Sequence, residues 1–366
     1  MAERTILMAG GGTGGHVFPG LAVAHALREL ADVRVVFVGS PRGIEQELVP
    51  RHGYDLELVD VEPMKGGGLS RAIRGAFVAA KAMRAAMSIV RRLHPAAILS
   101  VGGYAAGPVS LACVQKRVPL AVLEPNCVLG LANRLLAPFA KRVYVAFPET
   151  LRGSKIRMVG VPLRPGFVPT PYEPQGGVKR VLVLGGSLGA RALNERVPAA
   201  IARTAAALHP ALVHVVHQTG KDGVEEVRAK YNNMGMRDVR VLEFLDDVAD
   251  RIAQADVILA RSGAGVVAEI TAIGRPAIFV PFPHAAGDHQ AKNAMSLAAE
   301  GGAVCLRQES ADSGRIAAEL ARLLGDHAAA MTMADAARAH GRPRAAHDVA
   351  RDLLSIAEHE PEKELS

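Results

Sequence analysis

Thr5-Ile6-Leu7-Met8-Ala9-Gly10-Gly11-Gly12-Thr13-Gly14-Gly15-His16 begins as an apolar run, passes through clustered glycines and leads into a helical pattern beginning near Pro19. Strand, tight glycine loop and helix is how an α/β unit opens. The same grammar returns at Val181-Leu182-Val183-Leu184-Gly185-Gly186-Ser187-Leu188-Gly189-Ala190. Further strands are expected at residues 35–38, 56–61, 97–100, 120–123 and 142–146, and after the second loop at 213–217, 239–243, 257–260 and 277–280. Short apolar runs alternating with helical stretches describe parallel sheets covered on both faces. Between the two halves, residues 161–178 hold Pro162, Pro165, Pro169, Pro171 and Pro174 and read as a linker. From Asp312 onward the pattern is helical and Ala-rich, and residues 359–366 are expected to be a disordered, charged tail.

The chain has 366 residues, enough for two such units. Apolar residues make up 49% and charged residues 22%, which is ordinary globular chemistry. There is no Trp, with five Tyr and nine Phe, so a stacking platform for single-stranded nucleic acid is disfavoured. Three dispersed cysteines, Cys113, Cys127 and Cys305, make neither a disulfide framework nor a CxxC site. The chain enters its first strand without a secretory leader. No uncharged apolar stretch reaches the roughly 18 residues of a spanning helix.

Glycines that open a helix bring backbone N–H groups and the helix N-terminus close to an anion, so each loop is a candidate for phosphate. Neither loop is a dinucleotide fingerprint, because the strand after the first one ends Val38-Gly39-Ser40 with no acid placed for a ribose. Neither carries the Lys-Ser/Thr of a P-loop. Hydride transfer and nucleoside-triphosphate hydrolysis both lose ground.

With these residues the chain resembles the family of membrane-associated N-acetylglucosaminyltransferases of bacterial peptidoglycan synthesis. The resemblance rests on residues 10–22, Gly102-Gly103-Tyr104, Glu124 with Asn126, Gly160 with Pro162 and Arg164, residues 185–190, Arg261-Ser262-Gly263-Ala264 with Glu269, and Asp288-His289-Gln290 with Asn293-Ala294. It implies an α/β chain of the GT-B fold, two Rossmann-like domains whose parallel sheets face a central cleft. Residues 1–163 would bind acceptor and membrane, residues 164–340 would bind UDP-GlcNAc, and a last helix at about 345–358 would pack back on the first domain. The implied donor is UDP-GlcNAc, with no tightly bound cofactor or metal. The implied acceptor is undecaprenyl-pyrophosphoryl-MurNAc-pentapeptide, with transfer to its C4 hydroxyl and inversion at the sugar. Anionic inner-membrane lipid and other cell-wall synthesis proteins are the implied partners, nucleic acid is not, and the place is the cytoplasmic face of the inner membrane, peripherally. Where the family often has His-Glu-Gln-Asn, this chain has Leu123-Glu124-Pro125-Asn126. A non-hydrolysing UDP-GlcNAc 2-epimerase on the same plan and a non-catalytic nucleotide-sugar-binding membrane scaffold are the alternatives.

Single displacement needs a base for the acceptor hydroxyl and stabilisation of the leaving diphosphate. His16 is the first candidate base, since an imidazole titrates near neutrality. Glu124 is the alternative, as a partly buried carboxylate can be raised toward neutrality. The resemblance assigns donor binding to Thr13, Gly14, Gly15, Asn126, Arg164, Ser187, Leu188 and Gly189. It also assigns Phe244 and Leu245 to the uracil wall, Ser262, Gly263, Ala264 and Glu269 to the nucleoside, and His289, Gln290 and Asn293 to the sugar. Acceptor binding falls to Gly12, Thr13, Gly103, Tyr104 and Asn126. A carboxylate such as Glu269 can accept from both ribose hydroxyls. His284, Asp288 and His289 match no recognised zinc spacing.

The formal charge of +7 is concentrated between Lys65 and Arg92, where Lys65, Arg71, Arg74, Lys81, Arg84, Arg91 and Arg92 occur. On a helical projection Leu69, Ile73, Phe77, Ala80, Met83, Met87 and Val90 form a stripe opposite Arg71, Arg74, Lys81 and Arg92. Such an element suits an anionic membrane surface, with Lys65, Arg71, Arg74, Phe77, Val78 and Lys81 as candidate contacts. Gly75 is expected to break the helix and expose Phe77.

Overall fold

The computed structural model describes residues 4–61, 69–174, 177–186, 189–208 and 213–358, with only the backbone described for 69–77. The chain divides into two compact units, Met1–Pro165 with Arg344–Ser366, and Gly166–Pro343. Each is a parallel sheet wrapped by helices, as the alternation of apolar runs and helical patterns requires.

Among the described residues, the first unit's sheet comprises β1 (Arg4–Gly10), β2 (Val33–Gly39), β3 (Asp55–Leu58), β4 (Ala97–Gly102), β5 (Leu120–Glu124), β6 (Arg142–Val145) and β7 (Ile156–Met158). Their order is β3-β2-β1-β4-β5-β6-β7. Helices α1 (Gly14–Leu30), α2 (Glu45–Arg51), α3 (Leu69–Leu93), α4 (Ala106–Gln115) and α5 (Leu131–Leu136) connect them. Alternation along β1 divides the core. Ile6 and Met8 face one side with Leu27 and Val349, while Leu7 and Ala9 face the other with Ala86, Ile89 and Val109.

The second unit contains β8 (Lys179–Leu184), α6 (Arg191–Leu208), β9 (Val213–Gln218), α7 (Val224–Asn233), β10 (Val239–Leu242), α8 (Val248–Gln254), β11 (Val257–Ala260), α9 (Ala264–Ile273), β12 (Ala277–Phe279), α10 (His289–Ala299), β13 (Val304–Cys305), α11 (Ser313–Gly325) and α12 (His327–His340). Its strands lie in the order β10-β9-β8-β11-β12-β13. Both sheets reverse their strand order beside the first strand, between β1 and β4 and between β8 and β11. The loops leaving the carboxyl ends of those pairs are where an open α/β sheet offers a crevice.

The final helix, α13 (Ala345–Glu358), packs on α1 within the first unit. Its Asp352 receives the hydroxyl of buried Tyr144 at 2.8 Å and Arg142 Nε at 3.1 Å. Desolvation and the Asp352 partner both push the Tyr144 phenol well above its usual range.

Several local expectations shift. Helix α1 begins at Gly14 because Thr13 is extended and caps it, so Pro19 lies inside the helix rather than at its start. Helix α3 runs unbroken through Gly75. Met83, Met87 and Val90 of the projected stripe face the core together with Ala82, Ala86 and Ile89, whereas Ala80 is exposed. Arg92 is paired with Glu57 at 2.9 Å. The short strands β7 and β13 carry too few residues to show a period. Much of the proline-rich linker is fastened to the second unit. Arg275, only 2% exposed, donates to the carbonyls of Thr170 and Pro171 as well as Ala253, and Tyr172 OH donates to the Asp256 carbonyl at 2.9 Å.

His217 on β9 is fully buried, with Nδ1 3.1 Å from Tyr231 OH and Nε2 3.2 Å from Asn194 Oδ1. Burial, and secondarily Lys230, pushes its pKa down to about 3. The unfolded chain therefore takes up this proton near 6.5 while the fold refuses it. The neutral imidazole's contribution is complete above that pH and is lost as pH falls from 6.5 toward 3, at up to about 1.4 kcal/mol per pH unit. Urea midpoints at pH 7 and pH 5 should fall more steeply for the parent chain than for His217→Gln.

Candidate active site

In the first unit the loops after β1, β4 and β5 meet through absent side chains. Gly102 and Gly103 both have positive φ, +100° and +91°. A Cβ on Gly103 would lie 2.6 Å from the Gly11 carbonyl oxygen, and one on Gly102 would lie 3.2 Å from His16 Cδ2 and 3.3 Å from its Nε2. Glycine is thus required on both counts, conformation and approach. His16, half-buried on the first turn of α1, packs its imidazole over the Gly102 backbone. Its Nδ1 faces Thr13 Oγ1 at 3.4 Å. If Nδ1 carries the proton toward that hydroxyl, Nε2 presents its lone pair, the arrangement a base needs. Tyr104 follows at 65% exposure.

Glu124 ends β5 and is 2% exposed. Its Oε1 accepts from the backbone N–H and Nδ2 of Asn126 at 3.1 and 3.2 Å, and its Oε2 from Gly130 N–H and Asn133 Nδ2 at 2.9 and 3.0 Å. Asn133, on α5, was not singled out from sequence. It also donates to the Leu123 carbonyl at 2.9 Å and accepts from Ser100 Oγ at 3.2 Å. A single asparagine therefore joins β4, β5 and α5 beside the histidine, since the same Gly102 Cβ would lie 3.4 Å from its Nδ2. Leu123 is in the core and Pro125 is buried, so the departures at 123 and 125 are packing choices.

Gly12 has φ +89° and lies on the exposed side of the first loop, beside exposed Thr13 and Gly15 and half-buried Gly14. Its N–H donates inward to Glu45 Oε2 at 2.8 Å. The acid that takes this hydrogen is buried, and no spacing rule located it.

In the second unit, Gly185, Gly186 and Gly189 turn between β8 and α6, with Gly189 N–H on the Gly186 carbonyl at 3.0 Å. Ser187 and Leu188 lie outside the described residues. Helix α9 starts at Ala264 after Gly263, aiming its first N–H groups outward, and half-buried Glu269 sits on its second turn. Ser262 is fully buried, and its hydroxyl donates to the Gln290 carbonyl at 2.8 Å. Asn293 is fully buried and donates to the Ser262 carbonyl at 3.2 Å. These two side chains join the β11 loop to α10. Gln290 Oε1 accepts from Phe282 N–H at 3.0 Å, leaving the amide hydrogens as what it offers an incoming oxygen. His289 Nδ1 faces the Ala286 carbonyl at 2.9 Å, an arrangement that makes Nδ1 the protonated nitrogen. Arg261 is held by the carbonyls of Val280 and Pro281 and by Gln308, and desolvation, with Arg196 second, lowers its pKa to about 10. Phe244 is 56% exposed, whereas Leu245 is 2% exposed. Arg164 is exposed near the end of the first unit.

Among the described residues, no group of three or more His, Cys, Asp or Glu side chains is placed to hold a metal. The membrane candidates divide similarly: Lys65 lies outside the described residues, the side chains of Arg71, Arg74 and Phe77 are undescribed, Val78 is half-buried and Lys81 exposed. A feature not anticipated is the exposed trio Leu131, Leu135 and Phe139, four residues apart along α5 and the following 3-10 turn.

The N-terminal domain model of glycosyltransferase family 28 matches residues 6–145 and its C-terminal domain model matches residues 180–349. The UDP-N-acetylglucosamine–N-acetylmuramyl-(pentapeptide) pyrophosphoryl-undecaprenol N-acetylglucosamine transferase of Sorangium cellulosum is 51% identical, covering 96% of this chain and 88% of its own. The crystal structure of Acinetobacter baumannii MurG superposes with a TM-score of 0.81 at 32% identity, covering 96% of this chain and 99% of its own. The chain belongs to the MurG family of glycosyltransferases. It has the family's GT-B-like architecture of two Rossmann-like units. The UDP-GlcNAc 2-epimerase of Neisseria meningitidis, at 14% identity and TM-score 0.66 over 96% of this chain and 100% of its own, shares the fold alone.

The Asn133 node can be tested directly. Asn133→Ala should cost about 1–3 kcal/mol by leaving buried acceptors unpaired. Asn133→Asp should cost more at pH 7.5, because it sets a second carboxylate against Glu124, and should recover part of the loss at pH 5 as the pair takes up a proton. Urea denaturation of both variants checks the order.

Proposed function

We infer that the chain transfers N-acetylglucosamine from UDP-GlcNAc to the muramyl sugar of lipid I, giving lipid II and UDP. The observation that carries this is the 51% identity to a named transferase across 96% of the chain. It is a UDP-GlcNAc-dependent glycosyltransferase of peptidoglycan synthesis. The acceptor's C4 hydroxyl attacks the anomeric carbon from the face opposite UDP, so the configuration inverts.

His16 Nε2 is the base in this reading. It stands at the carboxyl ends of β1 and β4 with a half-exposed ring, and its other nitrogen is oriented by Thr13. Glu124 is then a positioning residue, because its two oxygens already hold four donors and fix Asn126 and the β5 loop. Tyr104 and Asn126 meet the acceptor. Glu269 takes the ribose hydroxyls, the N–H groups at the start of α9 and the 185–189 loop take the diphosphate with Arg164, and Gln290 and His289 take sugar hydroxyls.

Peripheral attachment to the cytoplasmic leaflet completes the reading. No described helix is long and apolar enough to cross a membrane. Lys81 and Arg84 are exposed on α3, α3 packs on α4, and α4 packs on α5 with its apolar trio, so basic and apolar groups occur together on the first unit. Replacing Leu131, Leu135 and Phe139 together by Ser should weaken sedimentation with vesicles containing anionic lipid, leaving UDP-GlcNAc binding unchanged.

His16→Ala should lower kcat by about 100-fold or more with little change in donor affinity. Glu269→Ala should instead raise the Kd for UDP-GlcNAc. Radiolabelled GlcNAc transfer to a short-chain lipid-linked MurNAc-peptide, with titration calorimetry for the donor, separates the two. Full turnover in His16→Ala, with loss in Glu124→Gln, would reverse the base assignment. Appearance of the ManNAc epimer from UDP-GlcNAc alone would instead favour the epimerase.

A further inference from the structure

Glu45 is the first residue of α2 and is completely buried. Its carboxylate is spanned by two backbone donors from different crossovers: Gly12 N–H to Oε2 and Ser40 N–H to Oε1, both at 2.8 Å. A Cβ on Gly11, Gly39 or Gly43 would overlap the Glu45 side chain. Three glycines are therefore needed to admit one acid beneath the β1–α1 loop. On the other side the loop is open, since nothing lies within 4 Å of a Cβ built on Gly12.

Glycine-rich strand-to-helix loops ordinarily turn their N–H groups toward a ligand's phosphate. Here the N–H of Gly12 points to a carboxylate supplied by the chain itself. We propose that Glu45 is the built-in anion of the first glycine loop and a positioning residue for His16. It holds the turn from Gly11 to Thr13, and Thr13 carries both the carbonyl that starts α1 at His16 and the hydroxyl facing His16 Nδ1. The loop consequently orients a base instead of receiving a phosphate at Gly12, and a negative charge beneath it opposes a second anion on the same N–H.

This rests on His16 as the base of the transfer reaction, and the variants separate the two claims. Glu45→Gln keeps the shape but sets an amide N–H2 against one of the backbone donors. It should lower kcat by about tenfold or more, since small misplacement of a reacting group is costly, while the KM and calorimetric Kd for UDP-GlcNAc stay within about twofold. Gly43→Ala, which pushes the carboxylate out of place, should reproduce this split, and the double variant should lose no more than the worse single one. In Glu45→Ala, added formate should restore turnover saturably and chloride should not. If Glu45→Ala does not fold, the split in Glu45→Gln decides. Glu45→Gln with kcat within about twofold of the parent, or with turnover and donor binding lost together in proportion to unfolded chain, overturns the proposal. With Glu45→Gln active and His16→Ala inactive, the positioning role alone falls. With the reverse, the base assignment falls and formate rescue still reports on the loop.

Discussion

Backbone meeting backbone at the carboxyl ends of β1 and β4 is the constraint on which the first unit depends. A parallel sheet sends every crossover loop out at the same edge, and the strand reversal beside β1 leaves two of them facing each other. They close because Gly11 and Gly103 bring carbonyl and Cα within the space a methyl group would need. The approach sets His16 against Gly102 and places Asn133 next to it. Remove that close contact and the histidine loses its floor.

In both units, buried polar groups hold the loops together. Glu124, Asn133, Ser262, Asn293 and Arg261 have the residue types of a ligand site, and several were read that way. Each is bonded to the loops it lies between. A satisfied buried hydrogen bond contributes about 0.5–1.5 kcal/mol net, whereas an orphaned partner costs about 1–3 kcal/mol, so such nodes tolerate little change. In the proposed reading the groups that face ligand are few beside these nodes, among them His16, Tyr104 and Asn126 of the first unit and Glu269, Gln290 and His289 of the second. Rigid loops with few outward groups are what precise positioning requires.

Much of this was legible. Apolar runs and glycine loops located the central strands and both crevices, because a buried parallel strand is apolar on both faces and a sharp strand-to-helix turn favours glycine. The MurG-family motifs then picked out the loops that meet there. What escaped depended on tertiary partners. Glu45 lies six residues beyond the end of β2, and nothing in its spacing says that it turns back under Gly12. Asn133 resembles any polar residue on a short helix. The proline-rich 161–178 stretch looked free along its length, but a buried arginine over a hundred positions away collects its carbonyls. The projected α3 stripe included Ala80, which is exposed, and left out Ala82, Ala86 and Ile89, because the neighbours that complete the buried face were not in view.

The two glycine loops share a plan and differ in what underlies them. Beside the first, the chain places the Glu45 carboxylate on Gly12 N–H. Beside the second, the groups crowding Gly185 and Gly189 are the backbone carbonyls of Gln218 and Thr219, with Asn194 donating to the Thr219 carbonyl at 3.1 Å. The nearby His217 is held neutral by its burial. A leaving diphosphate carries negative charge that a fixed carboxylate would oppose, and no carboxylate is among the groups that crowd Gly185 and Gly189. That electrostatic difference between otherwise similar loops supports the proposed reading, in which the second unit takes the donor diphosphate and the first orients a base. An ancestral resemblance between the halves would not predict that division; the buried acid does.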